Sequence, residues 1–287
     1  MNLPDYNSPS ALASFLKERD LGMRKKFGQN FLIDENMRKF LIDSLELQGG
    51  ERIWEIGPGL GAMTFLLLEK NVHTTAFEID SGFSDFLRKA YGENPLFTLI
   101  EGDALKTWKA AFEKEKPDCF FGNLPYNIAA KLIADTIEAE AIFDKLLVTV
   151  QKEVGDRMRA QPNSPDYSSF SVLCNRYYDV TALRTISSAC FWPRPNVVSQ
   201  ALLLTKKTDL IDCKDNKLFF QLLRAFFSSR RKTLKNNFLA WQKSNPRYAA
   251  VDADTFFKKA EIDSSARAET LQVYDFLKLC DILTSLL

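Results

Sequence analysis

The residues best suited to chemistry stand in the stretch Phe120-Phe121-Gly122-Asn123-Leu124-Pro125-Tyr126. Cys119–Phe121 reads as a short buried strand that Gly122 ends, so Asn-Leu-Pro-Tyr falls where a parallel sheet presents its ligands, just past a strand's carboxyl end. An adenine amine is a poor nucleophile because its lone pair is delocalised into the ring. A side-chain oxygen and a nearby backbone carbonyl can accept its two N–H bonds and hold the nitrogen closer to tetrahedral. Asn123 supplies the first acceptor, and the carbonyl of Asn123 or Leu124 the second. Pro125 biases Leu124 toward extended backbone and stiffens the turn, so the acceptors are in place before reaction. Tyr126 offers a ring on which an unstacked base can lie, worth about 1–3 kcal/mol per base. The plain alternative is an ordinary strand-to-helix turn, since Asn, Pro and Gly are common turn residues.

A second constellation lies upstream. Arg52–Ile56 reads as a compact strand, followed by Gly57-Pro58-Gly59-Leu60-Gly61 and a helix over Ala62–Lys70. Glycines let backbone approach a ligand, and a helix N-terminus favours negative charge by about 0.3–1 kcal/mol. The next strand, Thr74–Ile79, carries Glu78, which stands 21 residues after Gly57. That separation lets an acid reach a ribose hydroxyl pair. A third strand, Phe97–Ile100, runs into Glu101-Gly102-Asp103-Ala104 and places Asp103 to accept a hydrogen bond from a bound adenine. Two cofactors suit a glycine loop plus a ribose-binding acid: a nicotinamide dinucleotide and S-adenosylmethionine. Gly57-x-Gly59-x-x-Ala62 matches the relaxed dinucleotide pattern. The third glycine of E-x-G-x-G-x-G nevertheless comes one place too early for it, and an acid after the third strand suits an adenosyl ligand laid across three strand ends. The methyl donor is the better fit.

These sites need a sheet and helices to hold them, and 287 residues suffice for one α/β domain of about 200 residues and a smaller partner. Asp34 reads as the N-cap of a helix through Leu45, after a cationic and aromatic segment, Met23–Leu32, suited to touching phosphate and folding over a ligand. Ala11–Arg19 reads as a short helix in a poorly specified lead-in. Beyond Tyr126 the pattern predicts a helix over Ala129–Ala139, a strand over Lys145–Val150, helices over Gln151–Arg159 and Tyr167–Tyr177, and strands over Tyr178–Leu183 and Ala201–Thr205. Phe191-Trp192-Pro193-Arg194-Pro195 is expected to be irregular because of its prolines. It would display Phe191 as a second stacking face, with Trp192 filling the core. Polar Lys206–Lys217 marks the boundary to a helical C-terminal domain whose last helix spans Glu269–Leu286.

The net charge of +1 excludes a uniformly basic coat but not a local patch. Between Lys217 and Val251 stand eight basic residues and no acidic one: Lys217, Arg224, Arg230, Arg231, Lys232, Lys235, Lys243 and Arg247. A one-signed segment in a nearly neutral protein suits a structured RNA. Five scattered cysteines without C-x-x-C spacing and a single histidine, His73, assemble no zinc site of familiar pattern, so no metal is expected. The cysteine usage, the lack of a signal peptide and the lack of a membrane-length apolar run predict a soluble, cytoplasmic protein with no membrane partner.

Read together, these motifs resemble the ribosomal RNA adenine N6-dimethyltransferases from about Arg24 to the C-terminus. The likeness rests on Lys26-Phe27-Gly28-Gln29-Asn30-Phe31-Leu32, Glu55–Gly61, Glu78-Ile79-Asp80, Gly102-Asp103-Ala104, Asn123–Ile128, Gln151-Lys152-Glu153-Val154, the Phe191–Ser199 segment and Arg230-Arg231-Lys232-Thr233-Leu234. The resemblance implies a doubly wound, mostly parallel α/β sheet of the class I S-adenosylmethionine-dependent methyltransferases with a small α-helical C-terminal domain. The expected divisions are a lead-in over 1–23, a donor-binding domain over 24–206 and an RNA-binding domain over 207–287. It also implies a donor site of Asn30, Leu32, Gly57, Glu78, Asp103 and Asn123, and a catalytic turn of Asn123, Leu124, Pro125 and Tyr126. Substrate contacts are expected from Tyr126, Phe191, Arg230, Arg231 and Lys232. One branch of the family dimethylates two adjacent adenosines in a hairpin loop near the 3′ end of small-subunit RNA, and another acts on large-subunit RNA to confer antibiotic resistance. The Gly-Gln-Asn-Phe-Leu opening, Leu124 and the Arg-Arg-Lys-Thr-Leu segment resemble the first. That branch implies a monomer acting on an immature small subunit. Ile128-Ala129-Ala130 departs from the serine or threonine common after that isoleucine, and the lead-in has no family counterpart. A non-catalytic RNA-binding assembly factor on the same scaffold is the alternative of a different class. Intact Gly57, Glu78, Asp103 and Asn123 favour the enzyme.

Overall fold

The computed structural model describes residues 3–23, 29–124 and 128–286. After helix α1 (Pro9–Glu18), strand β1 (Phe31–Leu32) and helix α2 (Glu35–Asp43), the chain enters a regular alternation. It runs through β2 (Arg52–Ile56), α3 (Ala62–Glu69), β3 (His73–Glu78), α4 (Ser81–Tyr91), β4 (Phe97–Glu101), α5 (Ala104–Lys114), β5 (Cys119–Asn123), α6 (Ala129–Glu138) and β6 (Lys145–Gln151). There follow α7 (Lys152–Arg159), α8 (Ser169–Tyr177), β7 (Tyr178–Ile186), β8 (Phe191–Trp192) and β9 (Ser199–Lys206).

Seven strands form one sheet in the order β4-β3-β2-β5-β6-β9-β7. The first five are parallel, and β9 runs antiparallel to β6. Strands covered on both faces read as continuous apolar runs. In β2, Ile53, Trp54 and Ile56 are all buried, and Trp54 meets Phe77 and Phe143 edge-on at 4.9 and 5.6 Å between ring centroids. The strand order reverses between β2 and β5, which is where open α/β sheets leave a crevice at their carboxyl ends. The glycine loop leaves β2 there, and Asn123 ends β5 beside it.

Aspartates start α2, α4 and α5. Asp34 accepts from the Met37 amide (2.8 Å), Asp80 from Gly82 (2.9 Å) and Asp103 from Leu105 (3.0 Å). Each satisfies a first-turn N–H that the helix cannot. Helix α3 differs: it starts at Gly61, left-handed at φ +80°, with no side-chain cap.

Two expectations change here. Gly122 does not end β5; it pairs with Ile56 of β2 and Val148 of β6, and the strand runs on to Asn123. A Cβ at Gly122 would stand 2.6 Å from Leu124 Cδ2, so the glycine makes room for a packed leucine. Phe191-Trp192 is regular after all: it pairs antiparallel with β1, Trp192 opposite Phe31 and Phe191 opposite Leu32. The Trp192–Pro193 bond beyond it is cis.

The chain divides into two compact units. The first holds Met1–Thr136, Ala141–Gly155 and Val180–Lys206. The second holds Ile137–Glu140, Asp156–Asp179 and Lys207–Leu287, including α9 (Asn216–Phe226), α10 (Leu234–Gln242), α11 (Ala253–Ala260) and α12 (Val273–Ser285). Its core is aromatic, with Phe238 and Phe256 at 4.7 Å between centroids and Phe226 beside Phe257 and Phe276. No helix among the described residues is long and apolar enough to cross a membrane.

Candidate active site

A cavity opens at the carboxyl ends of β2, β3 and β5. Its walls are Gln29–Leu32, Glu55, the start of the glycine loop, Ala62 and Met63 of α3, Glu78 and Ile79, Phe83 of α4, and Phe121 and Asn123 of β5. Gly57, Gly59 and Gly61 all have positive φ, at +71°, +58° and +80°, a region where a Cβ is strained. A Cβ on Gly57 would meet nothing within 4 Å, so its backbone faces open space.

Glu78 is 3% exposed, and both of its oxygens are in use: Oε2 accepts from the Gly59 amide (3.0 Å) and Oε1 from the Asp80 amide (2.9 Å). It therefore ties the glycine loop to the end of β3 and still holds spare lone pairs. Burial pushes its carboxyl up to about 7 against the pull of those amides, with Asp80 adding to the rise. Glu55, 1% exposed, accepts from the Thr64 hydroxyl (2.6 Å), and burial pushes it up to about 8. Two buried acids on one cavity would welcome a cation. Glu55 is a site residue that enters the sequence pattern only as the opening letter of E-x-G-x-G-x-G; a lone acid inside the apolar run Ile53–Ile56 was its signal.

Asn123 has its amide held from both sides. Its Nδ2 donates to the Asn30 carbonyl (3.1 Å), and its Oδ1 accepts from the Thr149 hydroxyl (2.5 Å). Thr149 stands opposite it in the parallel register of β5 and β6. One lone pair of Oδ1 and one N–H of Nδ2 remain available. Thr149 was not legible as a site residue, because nothing local links it to a position 26 residues earlier.

The cavity thus brings together Asn30, Leu32, Gly57, Glu78 and Asn123. Asp103 is not among its lining residues; its Oδ1 caps α5 instead. The Leu124 side chain is buried in the core at 2% exposed, leaving only its backbone to face chemistry. Phe191 is not displayed: it is 3% exposed and packs with Leu32, Met37 and Phe121, so a stacking role for it is withdrawn. Pairing with β1 turns its ring inward, whereas Trp192 is half-buried and stacks on Phe31. Pro125 and Tyr126, with the Arg24–Gly28 part of the cationic segment, lie outside the described residues.

In the helical unit, Arg230 donates through Nε and Nη2 to Glu269 (3.2 and 3.0 Å) and through Nη1 to the Pro165 carbonyl (2.8 Å). Arg224 pairs with Glu138 and Lys235 with Asp254. Arg231 and Lys232 are exposed, and no ion pair is recorded for either among the described residues. One group of possible metal ligands also emerges: Cys213, Cys280 and Asp281 have ligand atoms within 4.8 Å of one another, brought together from positions 67 residues apart.

A donor loop after one strand and an acceptor residue after its neighbour, at the switch point of a 3-2-1-4-5 parallel order, define a class I S-adenosylmethionine-dependent methyltransferase. The crystal structure of a dimethyladenosine transferase from Plasmodium falciparum has the same fold, with a TM-score of 0.73 over 88% of this chain and 96% of that one at 24% identity. A family described as ribosomal RNA adenine dimethylase matches residues 21–284, and the chain belongs to it. Among curated relatives, Ribosomal RNA small subunit methyltransferase A of Treponema pallidum is 51% identical over all of both chains. The protein of the same name from Borreliella afzelii is 42% identical over 99% of this chain and 97% of its own.

Proposed function

We propose that this chain transfers methyl groups from S-adenosylmethionine to N6 of two adjacent adenosines in the 3′-terminal hairpin loop of small-subunit ribosomal RNA, during assembly of that subunit in the cytoplasm. The observation that carries the reading is Asn123, its amide fixed by Asn30 and Thr149, on the same cavity as Glu78 and the glycine loop. The relatives' names add the small-subunit assignment.

The residues suit the donor. Gly57 leaves its backbone open for close approach, the uncapped start of α3 offers N–H groups to a carboxylate, and Glu78 has lone pairs spare for ribose hydroxyls. Bound there, the donor supplies a sulfonium methyl open to in-line displacement. Glu78, where ionised, places negative charge beside that cation. Asn123 Oδ1 accepts from the adenine amine and raises the density on its nitrogen, while Tyr126 stacks the extruded base. Because Oδ1 is already oriented, little reorganisation accompanies the reaction. The amine's proton leaves to solvent after transfer. Arg231 and Lys232 contact phosphate from residues 207–287, which we assign to RNA binding; residues 24–206 hold the donor.

Incubating the protein with labelled donor and immature small subunits, followed by nucleoside analysis, tests the proposal. N6,N6-dimethyladenosine in small-subunit RNA is expected. Label in large-subunit RNA alone would point to the resistance branch, and binding without label to an assembly factor.

A further inference from the structure

We propose that the N-terminal arm, residues 3–20, is a positioning element for the donor cavity, acting through Tyr6 and Asn7. The arm precedes the segment matched by the family, which begins at residue 21. It is nevertheless firmly seated. Leu12, Phe15 and Leu16 are buried in one cluster with Leu60, Phe83, Phe86 and Leu87, and the rings of Phe15 and Phe86 meet edge-on at 5.4 Å. Ser8 caps α1 by accepting from the Ala11 amide (3.2 Å). Apolar packing of this kind is enough to dock a helix, so the polar bonds that the arm also makes call for a separate reason.

Those bonds converge on two walls of the cavity. The Tyr6 hydroxyl donates to the Leu60 carbonyl (2.7 Å), inside the glycine loop. Burial pushes the Tyr6 phenol far above its ordinary value, so it stays a neutral donor across all working pH. Tyr91 braces the next carbonyl, that of Gly61, at 3.1 Å, and the two hydroxyls lie 3.5 Å apart. On the other wall, Asn7 Oδ1 accepts from Arg38 Nη2 (2.6 Å), and Arg38 Nη1 donates to the Leu32 carbonyl (2.8 Å) in β1. Arg38 is itself buried, and Asn7 Nδ2 also holds Glu35 (3.0 Å). Tyr6 thus fixes the glycine loop from behind, and Asn7 fixes β1 through one guanidinium. Leu32 and the first residues of the same glycine loop, Gly57–Gly59, line the cavity that the proposed function assigns to the donor, so the arm acts on it through the loop's second half and through β1, and the inference rests on that assignment.

Tyr6→Phe keeps the ring and removes only the hydroxyl. Losing one such bond is expected to raise the Kd for S-adenosylhomocysteine, measured by calorimetry, by about threefold to tenfold. KM for S-adenosylmethionine should rise in proportion, with kcat at saturating donor within about twofold of wild type. Asn7→Ala should act in the same direction. Val72→Ala, a core truncation next to β3 at a residue that neither belongs to the arm nor lines the cavity, should lower the melting temperature without moving Kd. A wild-type Kd in Tyr6→Phe and Asn7→Ala, or an equal Kd increase in Val72→Ala, would reduce the arm to a stability element and overturn the proposal. Glu78→Ala separates the two readings: if it binds the probe as wild type does, the donor assignment has failed, and if it alone loses binding, only the arm's role has.

Discussion

Lowering the pH from 8 to 6 should loosen donor binding by about tenfold, through Glu78. The carboxyl stands near 7 because burial outweighs the two amides that hold it. With that midpoint its ionised fraction falls from about nine tenths at pH 8 to about one tenth at pH 6. Ribose hydroxyls need the ionised form as acceptor, so the apparent Kd scales inversely with that fraction, a change of about 1.3 kcal/mol. The stability of the donor-free protein should move the opposite way. A carboxyl raised on folding contributes stability that is fully present below its unfolded value, about 4.5, and lost as pH rises through about 7. Glu55, raised to about 8, extends the loss in the same direction. The melting temperature without ligand should therefore fall between pH 5 and 8 while affinity for S-adenosylhomocysteine climbs. Calorimetry at pH 6, 7 and 8 on wild type and Glu78→Gln provides the test. The comparison cancels any titration of the ligand itself, and Glu55→Gln isolates the second acid. Equal Kd values at pH 6 and 8, or a wild-type slope surviving in Glu78→Gln, would refute the reasoning.

Asn123→Ala should reduce single-turnover methyl transfer by about 10²–10³ with donor saturating and leave RNA affinity largely intact, because its bond to the amine strengthens as the nitrogen becomes tetrahedral. A near-wild-type rate in that assay would remove polarisation by Asn123 from the mechanism. Arg231→Ala with Lys232→Ala should flatten the salt dependence of RNA binding by about 0.7–0.9 log units per lost phosphate contact, read from filter binding at several salt concentrations. Arg230→Ala should instead lower the melting temperature, since its guanidinium already holds Glu269 and the Pro165 carbonyl. Gly61→Ala should destabilise the fold by about 1–3 kcal/mol in denaturant titration, because its Cβ would stand 2.6 Å from Tyr91 Cε2 at a φ of +80°.

Which features were legible in the residues follows from how local their causes are. The bounds of β2 and the opening of α3 could be read directly, since an apolar run closed by three positive-φ glycines leaves one arrangement open. Asn123 was legible for the same reason, although Gly122 misled about where its strand stops. Glycine there serves a contact with Leu124, two residues on and folded back, and composition does not separate that use from a turn. Errors grew with sequence separation. Phe191 was read as displayed because the prolines beyond it suggest a loop, yet its ring is turned inward by pairing with a strand about 160 residues earlier.

Charge behaved in the same way. The segment from Lys217 to Val251 is one-signed along the chain, but a local field depends on neighbours in space. Glu138, Glu269 and Asp254 come from other segments and draw off Arg224, Arg230 and Lys235. That pairing narrows the RNA footprint we propose, leaving Lys217, Arg231, Lys232, Lys243 and Arg247 exposed and without an ion pair among the described residues. The lead-in reverses the case. The family's match begins beyond it, at residue 21, and a short helix was all that periodicity supported. Its consequence lies in two acceptors, the carbonyls of Leu60 and Leu32, one reached by Tyr6 directly and the other by Asn7 through Arg38. Backbone carbonyls leave no trace in a sequence, so a residue whose work is to hold one is recognisable only after the fold has placed it.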